Sequence, residues 1–177
     1  MTGSIAKRYA RALFGIASEQ GTIEAAGEEL VRVVAAFRDE RLAALARSPA
    51  VGAAGKRAVA REVAERMGVS ETMRSFLALL GERDRLDALE AIGERYASFV
   101  DAKLGRVRAR IASARPLTEE DRRRVTRRFE EMTGKTVLAD AVVDPDLLGG
   151  VRVEIGGRVY DGTVRTQLES IKSALAG

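Results

Sequence analysis

No histidine and no cysteine occur in this 177-residue chain. The first absence removes the commonest general base and the commonest metal ligand. The second removes thiol nucleophiles, thiolate metal sites and any disulfide framework. Ser-His-Asp, Cys-His and most zinc chemistry are thereby excluded, so no catalytic, metal or cofactor-binding residue is expected. Tryptophan is absent too and aromatics make up only 5% of the chain, so a core must be assembled from Ala, Leu, Val and Ile. No stretch approaches the ~18 uncharged apolar residues of a membrane span. Lys7, Arg8 and Arg11 interrupt the N-terminal stretch where a signal peptide needs an apolar centre. A large charge of one sign is also missing. Residues 1–104 carry 16 Lys+Arg against 15 Asp+Glu, and residues 105–177 carry 14 against 11. Neither half has the excess of a polyphosphate binder.

What is present is 46% hydrophobic and 32% charged residues, enough for a real core under a well-solvated exterior. Over residues 1–104 the apolar positions recur at helical spacing. A first helix is expected over 4–20, with Ser4 as cap and Ile5, Tyr9, Ala12, Leu13 and Ile16 recurring before Gly21. A second opens at Thr22, a short third covers about Asp39 to Arg47, and Pro49 and Gly52 break the pattern. A fourth ends at Gly68. The fifth, from Ser70 to Gly81, sets Met73, Phe76, Leu77 and Leu80 on one face, and the sixth runs to about Lys103. Six helices with short connections predict an antiparallel bundle.

Near Gly105 the period changes. Val107, Ala109 and Ile111 alternate as in a half-buried strand, Thr118 caps a charged helix that closes at Gly134, and "KTVLADAVVDP" reads as a second strand. "VRVEI" and "RVY" make two more around Gly156-Gly157, the loop of a tight hairpin. That register sets Val153 opposite Tyr160 and Arg152 opposite Asp161. A last helix is expected from about Thr163 to Leu175. The expected fold is therefore two domains: an all-α six-helix bundle, 1–104, then a small α+β module, 105–177. The module is marginal in size and gains from a partner.

Motifs that suggest chemistry dissolve on inspection. "GKT" at Gly134–Thr136 resembles the end of a phosphate loop, but Phe129 stands where the pattern needs glycine, and helix and strand come in reversed order. In "GGVRVEIGG" a strand follows the first glycines, so no helix N-terminus faces an anion. The five arginines of residues 119–131 meet five carboxylates in the same segment, with no aromatic interleaved among them to stack a base. A solvated face accounts for them better than a basic-surface nucleic-acid-binding adaptor, which stays the alternative. Asp140, Asp144, Asp146 and Asp161 are explained by turns and helix capping. The first and fifth helices carry more apolar surface than one stripe needs: Ala10 and Phe14 in the first, Leu79 in the fifth. Burial on two sides and a groove for a partner's amphipathic helix both account for it.

"YARALF" in the first helix, "FLALLGERDRL" around the fifth and "LLGGVRVEIGGRVYDGTVRTQLESIK" near the end resemble the delta subunits of bacterial F-type ATP synthases. The mitochondrial oligomycin sensitivity-conferring protein is a relative of that family. The resemblance spans essentially the whole chain and implies a non-catalytic peripheral-stalk subunit that couples proton transport to ATP synthesis mechanically. It further implies that the helical domain takes the N-terminal helix of an alpha subunit into a groove lined by Tyr9, Ala12, Ser75 and Leu79. The C-terminal domain would engage the C-terminal ends of the b subunits, with Gly149, Gly150, Gly156 and Gly157 shaping its hairpin. One copy per complex is implied, on the cytoplasmic face of the cell membrane, which it meets only through the complex. No nucleic acid is implied.

Overall fold

The computed structural model describes residues 2–163. The chain divides into two compact units, Met1–Val100 and Asp101–Gly177. The helix expected from Thr163 onward lies outside the described residues.

The first unit is helical: α1 (Thr2–Glu19), α2 (Ile23–Ala36), α3 (Glu40–Arg47), α4 (Ala53–Arg66) and α5 (Glu71–Glu82). A single 3-10 turn, Leu86–Ala88, then leads into α6 (Leu89–Lys103). Local chemistry sets most of the ends. The Asp39 carboxylate accepts from the Arg41 and Leu42 N–H groups, and the Ser70 hydroxyl oxygen accepts from Met73 N–H. α1 and α4 end in left-handed glycines, Gly21 and Gly68, each followed by a main-chain bond back across the last turn. Ser4 is no cap, because α1 already begins at Thr2.

The core of this unit is largely alanine and leucine. Ala6, Ala10, Leu13 and Ala17 of α1 are fully buried, with Leu30, Val33, Leu77, Leu80 and Ile92 in the same cluster. Small residues bring helices close. A Cβ on Gly81 would sit 2.7 Å from Arg57 Cα and 2.8 Å from Lys56 O, so α5 lies directly on the α4 backbone. Beside that contact Lys56, 2% exposed, forms an ion pair with Asp84. Asp84 sits at φ 54 in the turn that ends α5, where its carboxylate can reach Lys56. The Tyr96 hydroxyl donates to the Ile23 carbonyl at 2.9 Å, and burial pushes its pKa up to about 12. Glu29 of α2 accepts from both the Ser70 N–H and the Ser70 hydroxyl, tying α2 to the start of α5.

The second unit holds β1 (Arg106–Ser113), α7 (Glu119–Thr133), β2 (Thr136–Val143), β3 (Val151–Ile155) and β4 (Arg158–Asp161). Strand order is β2-β1-β3-β4. β1 and β2 run parallel, as their helical crossover requires, and the other neighbours are antiparallel. Thr118 caps α7 by accepting from Asp121 N–H, and Gly134 ends it at φ 65. Gly156 and Gly157 both have positive φ, 56 and 78, as a two-residue turn between twisted strands needs. Val153 pairs with Tyr160, and Arg152 with Asp161. Val125 and Phe129 of α7 pack on Ala109, Ile111, Val137, Val153 and Ile155. The Phe129 and Tyr160 rings meet edge to face at 5.2 Å.

Candidate functional site

The extra apolar width of α1 has two explanations, one on each flank. Ala10 is fully buried, and Phe14 packs between Tyr96 and Phe99 at 6.0 and 5.8 Å, so these residues belong to the core. The other flank is different. Ile5, Tyr9, Ala12 and Ile16 follow at i, i+4, i+7 and i+11, which sets them in one stripe. Tyr9 and Ile5 are half-buried, Ala12 is exposed, and Ile16 is 46% exposed. The Arg8 guanidinium lies over the Tyr9 ring at 5.2 Å and supplies a charged border.

On α5 the matching feature is Leu79, 41% exposed between the buried Leu77 and Leu80. Two turns earlier the Thr72 hydroxyl donates to Gln20 Oε1 at 3.0 Å, which brings the start of α5 to the end of α1. Thr72 and Leu79 are seven residues apart and share a face. Ser75 lies farther round, in a depression lined by Arg57, Arg61, Glu65, Glu71, Arg74 and Ala78 on the α4 side. Of the expected groove residues, then, Tyr9, Ala12 and Leu79 occupy the exposed flanks of α1 and α5, and Ser75 is turned toward α4. Ile16 and Thr72 were not expected there. Periodicity places Ile16 on the main face of its helix, and its exposure depends on packing that periodicity does not reveal.

In the second unit Gly149 and Gly150 lie in the bend before β3, not in the hairpin turn itself. Gly150 has φ 80, and a Cβ there would fall 2.3 Å from Gly162 O and 2.9 Å from Thr163 Cα. Here a close main-chain approach adds to the left-handed backbone. Asp144 accepts from Asp146 N–H and from Arg152, and Asp161 accepts from Thr163 N–H. These are turn contacts. Asp140 departs from the expectation of a turn or cap: it stands in mid-strand, on β2 opposite Arg110. Among the described residues no group of three Asp or Glu could hold a metal ion. Nor is any described helix long and apolar enough to cross a membrane.

The arginines of α7 are largely occupied at home. Arg122 pairs with Glu119 at 2.9 Å, Arg124 with Asp121, and Arg128 with Glu131 at 3.8 Å. Hydrogen bonding to Arg122, with its charge, lowers the Glu119 pKa. Such internal neutralisation weakens the case for a nucleic-acid surface.

Comparison with known proteins agrees along the whole chain. The model of the family described as ATP synthase delta (OSCP) subunit matches residues 5–175. A protein of Anaeromyxobacter sp. (strain K) called ATP synthase subunit delta is 40% identical over 176 residues, covering 99% of this chain and 98% of its own. One of the same name from Citrifermentans bemidjiense is 39% identical over 175 residues, covering 98% and 97%. A chain in the Toxoplasma gondii mitochondrial ATP synthase hexamer has the same fold, with TM-score 0.70, 22% identity and 97% of each chain covered.

Proposed function

The chain belongs to the ATP synthase delta (OSCP) subunit family, and from that premise we propose how its two units divide the work of a peripheral stalk. The protein is a non-catalytic stator subunit. It links the catalytic head to the membrane sector and resists rotor torque, so that proton-driven rotation is not lost in turning the head. The helical unit, read as a six-helix bundle, holds the head. Its docking groove takes the N-terminal helix of an alpha subunit between α1 and α5, against Tyr9, Ala12, Ile16 and Leu79. The α+β unit engages the C-terminal ends of the b subunits. One copy serves each complex, at the cytoplasmic face of the cell membrane.

The observation that carries the groove is Leu79. It stays 41% exposed while Leu77 and Leu80 on the same helix are fully buried, and Ile16 is comparably exposed on α1. An amphipathic helix laid along these flanks would bury that surface, with Ala12 allowing close approach. Leu79→Asp should weaken binding of a peptide copying the alpha N-terminus by at least about 2 kcal/mol, more than tenfold, because a charge would be placed in a desolvated groove. Titration calorimetry on a variant with unchanged circular dichroism measures this. An unaltered affinity would move the docking site off α5.

A further inference from the structure

Among the described residues β2 is an edge strand with no strand on its outer side. The N–H groups of Thr136 and Asp144 donate to the Gly105 and Ser113 carbonyls. Even-numbered residues of β2 therefore turn their main chain toward β1, and odd-numbered ones turn it outward. Of the outward groups, the Val137 N–H is capped by Glu130 Oε1 at 3.1 Å. Ala139, Ala141 and Val143 follow, and among the described residues β1 is the only strand beside β2. The strand has no proline, no lysine and an unbroken register, so three common guards against a new neighbour are missing, and the Glu130 cap at Val137 and the charge of Asp140 are the ones it carries.

The side chains on the face away from α7 add a direction to this opening. Glu154 of β3 lies opposite Arg110 of β1, and Arg110 lies opposite Asp140 of β2. The row runs negative, positive, negative, and stops on a carboxylate at the open edge. Leu138 and Val142 stand two residues to either side of Asp140, with Leu138 39% exposed. Arg110, Val142 and Glu154 also line one open concavity on this face.

We propose that the outer edge of β2 docks an extended segment of another polypeptide as a fifth strand. That segment carries Lys or Arg opposite Asp140 and an apolar residue two positions to each side. Main-chain bonds at Ala139, Ala141 and Val143 hold it, and the charge row selects it. A second copy of this chain is disfavoured, because antiparallel pairing centred on Asp140 would set two carboxylates face to face. The inference goes beyond the stalk assignment, since it specifies strand addition irrespective of which protein the unit meets.

The test uses the full chain labelled for NMR and two capped peptides at low salt, Thr-Val-Thr-Lys-Thr-Val-Thr and the same peptide with Glu for Lys. The Lys peptide should slow amide hydrogen exchange at Ala139 and Ala141 and bind roughly fivefold tighter than the Glu peptide. Asp140→Lys should reverse that preference, and Asp140→Asn should abolish it even if the reversed variant folds poorly. Equal binding of the two peptides would overturn the proposal. So would binding without protection at Ala139 and Ala141, absence of binding at millimolar peptide, or concentration-dependent protection with no peptide present, which would mark the edge as a contact between copies.

Discussion

Tyr96 and Ile111 sit in cores built on different plans. Around Tyr96, helices supply buried residues from several directions, and alanines and Gly81 let the backbones approach. Around Ile111, among the described residues, one helix covers one face of a four-stranded sheet, and the other face carries Arg110, Arg152, Glu154 and the exposed Val159. The helical unit closes a deep core and leaves apolar flanks on two helices. The described part of the α+β unit closes a shallow core and leaves a face and an edge. Each unit is fragile in a different place: the first at its tightest helix contact, the second in the turns that aim its strands.

The largest effect should come from Gly150→Ala. It forces a side chain into left-handed backbone and onto the main chain of Gly162 and Thr163, and should destabilise the α+β unit by about 3 kcal/mol. Gly157→Val also strains a positive φ, but a Cβ there meets nothing within 4 Å, so its cost should be smaller, about 1 kcal/mol. Hydrogen exchange resolved by residue should place both losses in the strands. Equal losses from the two would mean that backbone strain alone decides.

Gly81→Ala should lower the stability of the helical unit by about 2 kcal/mol, since the added methyl meets α4 backbone that cannot move aside without repacking. Denaturant unfolding followed by exchange at α4 and α5 amides tests this. An unchanged midpoint would show that the two helices separate easily.

The smallest effect concerns Tyr96. Its folded pKa, about 12, exceeds the unperturbed 10.0, so the neutral phenol is favoured by folding. That contribution is fully present below pH 10 and is lost as pH rises through about 12. Tyr96→Phe should cost about 1 kcal/mol at neutral pH by orphaning the Ile23 carbonyl. It should also flatten the alkaline decline in stability, and an unaltered decline would assign that limb to other groups.

Features legible in the sequence were those with a local cause. Thr118 and Gly134 mark the ends of α7 because capping chemistry acts within a turn. The Gly156-Gly157 loop sets its own register. Asp140 lies inside the stretch that reads as a strand, so grouping it with the turn carboxylates overlooks the local pattern; what the sequence does not tell is that it stands opposite Arg110, 30 residues earlier. The ion pair of Lys56 with Asp84 and the crowding at Gly150 likewise depend on partners that only the fold brings together. At the candidate groove, Leu79 is legible as surplus apolar surface on its helix, while the lining role of Tyr9, Ala12 and Leu79 comes from resemblance. The placement of Ser75 and the exposure of Ile16 needed the angle at which each helix meets its neighbours.

The central place of β1 has a consequence in time. Its pairing partners are β2 and β3, which are translated after it, β3 beginning only at Val151. At roughly 5–20 residues per second, a ribosome needs seconds to pass from β1 to β3. Until β2 is made, Val107, Ala109 and Ile111 belong to a strand with no partner, and until β3 is made that strand is paired on one side only, while every residue of the helical unit has already been made. The nascent chain therefore has one window, set by strand order rather than by composition, in which an apolar segment needs shelter.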